Sequence, residues 1–393
     1  MNVLVVSGLY THPHNQGNLQ GIYRECKKML ELGWNVDFLY WGDYLHANLK
    51  GMENFFGKEH LFFANVSNNQ YQYEVRKFIR NYLDKKKVTR YLSVPYAPDE
   101  LHYNEIQEKV NVLHKTHHYD IVWLEYYLQS KIFESLDSNI LKVVHTHDRF
   151  TNRNKIFQRD GKVPEFYYLT KKGERKALSR ADVVIAVQEK ECQFFEKLVN
   201  GTNTICLSIG NFIEKRDIKA VYNHCYGFLG SINDANIDAV KLFIKKYLPV
   251  IKKHEPDSQF VIAGGVCKNI PDNEQYIKMG YIDNIEDFYE TVSFVVTPML
   301  AGTGLNIKNI EALSFGKPIV TTSIGAKGLD GAQNAMKIAD KDTEYIDNVI
   351  YLLQNQEEIN RMSMEAKEFV EKYNEENVSK YRYIEKLVQE RNS

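Results

Sequence analysis

The chain has 393 residues, 44% of them hydrophobic and 26% charged, which is long enough for two or three domains with sizeable cores and excludes a disordered or fibrous chain. Its formal net charge of -1 excludes a global field for polyanions, so any phosphate binding has to be local. The five cysteines, Cys26, Cys192, Cys206, Cys225 and Cys267, are odd in number and have neither metal-ligand nor redox-pair spacing, which points to buried free thiols in a reducing compartment.

VLVVS at 3–7 is short, β-branched and continuous, the pattern of a buried strand. The loop GLYTHPHNQG follows, then a helix from about 18 to 32 closed by Gly33, then the strand NVDFLYW at 35–41. This unit starts a parallel α/β sheet. The region 45–118 is expected to be a helical insertion with irregular loops. DIVWLEY (120–126) and LKVVHTHD (141–148) return to the strand pattern, and TKKGERKALSRADVVIAVQEKECQFFEKL gives helix, strand, helix. The first domain is expected over 1–212. A charged, non-periodic stretch at 213–224 is expected to be a linker.

The pattern then restarts: CYGFLG as a strand, 235–254 as a helix, QFVIAGG and YIKMGYI as strands, IEDFYETV as a helix and FVVTP as a strand. A second domain is expected over 225–370, with a C-terminal helix at 371–393 packing back toward the first. The fold class is α/β: two Rossmann-like, doubly wound domains facing a cleft, with C-terminal helices closing the chain. Ligands of such sheets sit at the carboxyl ends of the strands. No apolar run reaches the ~18 residues of a membrane span, and MNVLVVSG is too short for a signal peptide and lacks a basic leader, so a soluble, cytoplasmic protein is expected.

The stretch FVVTPMLAGTGLNIKNIEALSFGKPIVTT carries the chemistry. A strand runs into a glycine loop, and LNIKNIEALSFG is a helix with Ile307, Ile310 and Leu313 on its buried stripe and Gly316 at its end. The helix start leaves backbone N–H groups unpaired, and glycines let an anion reach them. Lys308 falls in the first turn, where a cation opposes the helix dipole. That is a poor place for a stabilising Lys and a good one for a Lys that meets a phosphate. Glu311, one turn on, is placed to accept from a diol such as a ribose. The plain alternative is a tight turn followed by a surface Lys308–Glu311 pair. Two other phosphate motifs fail: a dinucleotide fingerprint needs glycine where Ile307 stands, and a P-loop needs glycine at Glu311 and Ser or Thr at Pro318.

GTGLNIKNIEALSFGKPIVTT followed by SIGAKGL resembles the donor-binding segment of GT-B glycosyltransferases, in particular the group 1 (GT4-like) family. Gly17-Asn18 before the first helix, THD at 146–148, ERKALSRADVVIAVQEKE, FLGSINDANIDAV and FVIAGG fall in that family's order, so the resemblance covers nearly the whole chain apart from 45–118. It implies transfer of a sugar from a nucleotide diphosphate, UDP- or GDP-linked, to a glycan, lipid-linked or protein acceptor, with retention and with neither metal nor cofactor. By the same resemblance Gly302, Thr303, Gly304 and Leu305 face the diphosphate, Lys308 neutralises it and Glu311 holds the ribose. Gly230 and Tyr281 belong to the donor site, with base contacts from backbone around 280–283. Many members carry two glutamates with seven residues between them; Glu311 matches the second, and Thr303 stands at the first. FLGSINDAN lacks the basic residue often found after that strand, and Lys308 is expected to take its role. A non-catalytic accessory subunit and a sugar-nucleotide epimerase are the alternative functions.

His145 and His147 end a strand and point to one side. His147 with Asp148 matches the family's cleft histidine, which implies contact with a sugar hydroxyl or movement of a proton; a capping His–Asp turn is the structural alternative. Glu125, ending the neighbouring strand, and Gly17 and Asn18, at a helix start, are acceptor- or phosphate-side candidates. His12 and His14 lack an acidic or Cys partner nearby, so no metal site is expected. Asp340 and Asp342 are expected to form a turn and an N-cap. The segment 71–91 has seven basic and two acidic residues among Tyr, Phe, Ile and Leu. It suits an anionic lipid surface or a phosphorylated acceptor, or is a solvated amphipathic helix. Oligomeric state is not legible.

Overall fold

Continuous β-branched runs cannot tolerate water on either face, so they collect in parallel sheets covered by helices on both sides. The structure, a computed structural model, describes residues 1–13, 17–66, 71–85, 93–159, 167–210, 212–216, 218, 221–300 and 306–392. The chain forms two units: residues 1–212 with 377–393, and residues 213–376.

The first unit holds β1 (Asn2–Ser7), β2 (Asn35–Tyr40), β3 (Leu61–Phe63), β4 (Ile121–Glu125), β5 (Leu141–Thr146), β6 (Val183–Ala186) and β7 (Ile205–Ser208). They form one parallel sheet in the order β3-β2-β1-β4-β5-β6-β7. One face is buried by Ile22, Cys26, Met29 and Tyr381, the other by Ile106, Val110, Leu178 and Phe195. The strand order reverses between β1 and β4, which makes the carboxyl ends of these two strands the switch point of the sheet.

The second unit repeats the design with β8 (Cys225–Leu229), β9 (Gln259–Ala263), β10 (Tyr276–Gly280), β11 (Phe294–Thr297), β12 (Ile319–Thr321) and β13 (Met336–Ile338). These are ordered β10-β9-β8-β11-β12-β13, again parallel, with the reversal between β8 and β11. Tyr226 stacks between Phe260 and Phe294 across neighbouring strands, and Phe243, Tyr247 and Tyr345 pack beside them.

Several features differ from the sequence expectations. The region 45–118 is not only helical: its LFF run is β3, the edge strand paired to β2, because Leu61 finds a buried site beside Phe38. The stretch 213–224 packs on the second unit, with Ile213 buried, the Arg216 amide donating to the Ser314 carbonyl and the Tyr222 hydroxyl to the Leu353 carbonyl. No helix starts at 371. One helix, Gln356–Asn392, runs through that point; Met362, Ala366 and Val370 are core residues of the second unit, and Tyr381, Ile384 and Val388 of the first. Lys341, not Asp342, occupies the cap of helix Asp342–Gln354, and Asp340 accepts from the Ser323 amide. All five cysteines are free, and four are buried. Among the described residues no helix is long and apolar enough to cross a membrane.

Candidate active site

In the second unit, the end of β8 and the segment after β11 flank the switch point. The chain turns at Gly230, whose amide donates to the Ala263 carbonyl. A Cβ on Gly230 would stand 2.7 Å from Phe228 and 3.0 Å from Asn236. Gly264, at φ +90°, brings the β9 turn so close that a Cβ there would lie 2.5 Å from the Gly230 carbonyl oxygen. Gly264 is glycine because two backbones meet there at a positive φ, whereas a side chain at Gly230 would collide with the side chains of Phe228 and Asn236.

Helix Asp234–Leu242 starts just after this turn. Its cap Asn233 accepts the Asn236 amide, and the Asn236 side chain donates to the Ser231 carbonyl. The remaining side-chain oxygen of Asn236 accepts from Lys308 Nζ at 2.5 Å. Lys308 lies in the first turn of helix Ile307–Ser314, whose cap Asn306 makes no side-chain cap bond. Its ammonium also lies 3.5 Å from Met299 Sδ and 5.1 Å over the Phe228 ring. No carboxylate of the described residues neutralises it. Burial pushes its pKa down to about 8. The surface Lys308–Glu311 pair therefore does not form; Glu311 instead accepts from the Tyr289 hydroxyl at 3.3 Å. Gly302, Thr303, Gly304 and Leu305 lie outside the described residues. Tyr281 follows β10 and is exposed.

In the first unit, β4 and β5 are registered so that Glu125 sits opposite His145, with His147 two residues further along the same face. Trp123 Nε1 donates to Glu125 Oε1 at 3.0 Å, while Glu125 Oε2 lies 3.0 Å from His145 Nδ1 and 2.6 Å from His147 Nε2. Burial opposes ionisation of Glu125, but the two imidazoles outweigh it and hold its carboxyl below the usual carboxylate range. Burial likewise opposes charge on His145, and the Glu25 and Glu125 carboxylates outweigh it and hold its proton well above the usual imidazole pKa. The ring of Tyr126, a residue at φ +61°, lies 4.5 Å from the His147 ring, and Asn18, in the first turn of helix Gly17–Glu31, hydrogen-bonds its side chain. Glu125, His147 and Asn18 are thus brought together by the sheet ends. Asp148 turns away to an ion pair with Arg153 at 3.2 Å. His12 packs against Tyr23 and Phe55, and His14 lies outside the described residues.

Glu125, His145 and His147 form the cluster of the described residues that has the composition to hold a metal ion. Two ring nitrogens on one carboxylate oxygen, one of them at 2.6 Å, are hydrogen-bond contacts, shorter than the separations around a shared ion. The residues missed from sequence are Asn236, which anchors Lys308, Tyr126, and Glu25. The Asn-rich run SINDAN at a helix start was a signal for the first; nothing local marked the other two.

Residues 223–355 match the profile of the family described as Glycosyl transferases group 1. An uncharacterized 44.6 kDa protein from the cps region of Klebsiella pneumoniae is 24% identical over 202 residues, 48% of this chain and 50% of that protein. The alignment thus spans about half the length of that curated relative. Two solved structures superpose along nearly the whole chain. A mutant of S. aureus TarM, in complex with fondaparinux, α-GlcNAc-glycerol and UDP, has a TM-score of 0.63 at 14% identity, covering 97% of this chain and 99% of that one. The pneumococcal O-GlcNAc transferase GtfA, with UDP and GlcNAc, has a TM-score of 0.64 at 11% identity, covering 100% and 99%. At these identities the superpositions speak to the fold, and the profile match speaks to the second unit. Residues 223–355 thus carry the group 1 glycosyltransferase profile, and the chain has the GT-B fold of the solved glycosyltransferases it superposes on.

Proposed function

We propose that the protein moves a sugar from a nucleotide diphosphate donor to a hydroxyl of a glycan, lipid-linked or protein acceptor, in the cytoplasm, with retention and without a metal. The observation that carries this is Lys308: a desolvated ammonium at a helix start, fixed by Asn236 and lacking a carboxylate partner among the described residues. A leaving nucleoside diphosphate gains negative charge in the transition state. A cation already in place, beside unpaired helix N–H groups, stabilises that charge without reorganising. UDP, present in both superposed glycosyltransferase structures, is the favoured nucleotide. In this reading the backbone of Gly302, Thr303, Gly304 and Leu305 approaches the diphosphate, Gly230 leaves room for it, Glu311 takes the ribose and Tyr281 borders the base. His147 faces the acceptor hydroxyl or the transferred sugar, Asn18 and Tyr126 border that pocket, and Asp148 with Arg153 shapes its rim.

Helix Tyr71–Lys85 exposes Val75, Phe78, Ile79 and Tyr82, one stripe at helical spacing, with Phe78 71% exposed. In sequence the segment 71–91 carries seven basic and two acidic residues, in a chain of net charge -1. This combination supports peripheral contact with an anionic lipid surface.

A thermal-shift screen of UDP-, GDP-, dTDP- and CMP-sugars tests the central reading. A saturating donor is expected to stabilise the protein by a few kcal/mol. Lack of a shift with every donor, together with no transfer or hydrolysis, would leave an accessory role instead. Conversion of the donor sugar without an acceptor would mark an epimerase.

A further inference from the structure

His147 stands at the end of a buried chain of polar groups. The Tyr381 hydroxyl donates to Glu25 Oε1 at 2.7 Å. Glu25 Oε2 lies 2.5 Å from His145 Nδ1, yet receives no hydrogen bond of good geometry. The same nitrogen is 3.0 Å from Glu125 Oε2, which is 2.6 Å from His147 Nε2. Glu25, Glu125, His145 and Tyr381 are each at most 5% exposed.

Two carboxylates in so dry a place must be balanced locally, because an unpaired buried charge costs several kcal/mol. Among the described residues no Lys or Arg pairs with either, so His145 is the cation available to both. The other titratable groups facing the cluster are Cys26 beside Glu25, Tyr126 beside Glu125, and Asp148, itself paired with Arg153.

We propose that His145, held by Glu25, is a positioning residue for His147 and acts through Glu125. With His145 charged, both carboxylates stay ionised. Glu125 can then only accept, so His147 must present its hydrogen on Nε2 and keep Nδ1 as the proton-accepting nitrogen. With that charge removed, the two carboxylates repel each other and one takes up a proton. A protonated Glu125 donates to His147 Nε2, and the ring hydrogen moves to Nδ1, the opposite tautomer. The inference deepens the function proposed above and rests on His147 serving the transfer reaction, but the tautomer can be read without any activity.

The test is two-bond 1H–15N correlation spectroscopy of the full chain labelled with 15N-histidine, at pH 7–9, with melting curves as the check on folding. Wild-type His147 is expected in the Nε2–H form. His145→Gln is expected to convert most of it to the Nδ1–H form. Glu125→Gln, whose amide can both donate and accept, is expected to give a mixture, and serves where His145→Gln does not fold. In transfer assays His145→Gln is expected to lower kcat at least ~10-fold, a modest share of what acid–base groups contribute, with donor KM little changed. An unchanged His147 tautomer in both variants overturns the proposal. So does stoichiometric zinc that survives dialysis and shifts both ring signals, since the cluster would then be a metal site. Absence of transfer with every donor, alongside the expected tautomer change, would instead count against the proposed function.

Discussion

Replacing Lys308 with Met separates the cost of this side chain from its use. The lowering of its pKa from 10.5 to about 8 corresponds to ~3 kcal/mol against the charged form in the folded protein. The sign follows from the depressed value. Below pH 8 the lysine is charged in both folded and unfolded chains and the whole cost is present; between pH 8 and 10.5 the folded chain gives up the proton first and the cost is relieved. Met fills the stem's volume and removes the charge, but it leaves the Asn236 oxygen without its donor, a loss of ~1–2 kcal/mol. The ligand-free variant is therefore expected to be more stable than wild type at pH 7 by about 1–2 kcal/mol, a few degrees in Tm. UDP affinity is expected to fall ~10- to 100-fold, since a hydrogen bond to an ion contributes ~1.5–3 kcal/mol. Wild-type affinity is also expected to weaken as pH rises above 8, with that slope missing in the variant. Calorimetric melting without ligand and UDP titrations from about pH 6.5 to 9.5 read all three. A variant that is less stable than wild type and binds UDP equally well would refute the reasoning.

Other consequences follow from single contacts. Burial pushes the Glu191 carboxyl up to about 7, with a buried oxygen left unpartnered, so the folded chain loses stability as pH rises from about 4.5 to 7; Glu191→Gln is expected to flatten that decline and to melt higher at pH 8, and a variant with the wild-type pH profile would count against it. Gly264→Ala forces a Cβ to within 2.5 Å of the Gly230 carbonyl at a positive φ, so a loss of ~2 kcal/mol or more and weaker UDP binding are expected, and wild-type melting with wild-type affinity would contradict the close approach. Phe78→Ser with Ile79→Ser is expected to abolish co-sedimentation with phosphatidylglycerol-containing vesicles while leaving Tm unchanged, because both side chains are exposed. Equal binding to vesicles of neutral lipid would rule out the charge contribution, and loss of a dimer on sizing columns would assign the stripe to a second copy.

The central strands of both sheets are legible as runs of Val, Ile and Leu, since a strand buried on both faces needs no partner to be recognised, whereas the outer strands Ile205–Ser208 and Met336–Ile338 carry no such run. The edge strand Leu61–Phe63 is not legible either, because three residues carry no period and its place beside Tyr40 is a long-range choice. The helix break expected at 371 fails for a related reason. The helix Gln356–Asn392 serves two cores in succession, and its buried stripe runs on from Val370 through Asn377 to Tyr381 without any breaker residue. In the donor segment the sequence shows a lysine where the helix dipole disfavours one, which is a local conflict and therefore visible. That Asn236 holds it and Glu311 does not is decided across 72 residues of chain.

Local chemistry accounts for the repeated strand–helix order, the glycine-led helix of the second unit and the placement of Lys308, Glu125 and His147 at strand or helix ends. Each follows from periodicity and backbone preferences within a few residues. Which charges meet is a property of the folded chain. Glu25, from a helix of the first unit, meets His145 from the sheet and accepts the hydroxyl of Tyr381 from the last helix, while Asp148 leaves its neighbouring histidine for Arg153. Charge pairing in a dry interior depends on distances between segments far apart in the chain, and local sequence does not encode those distances.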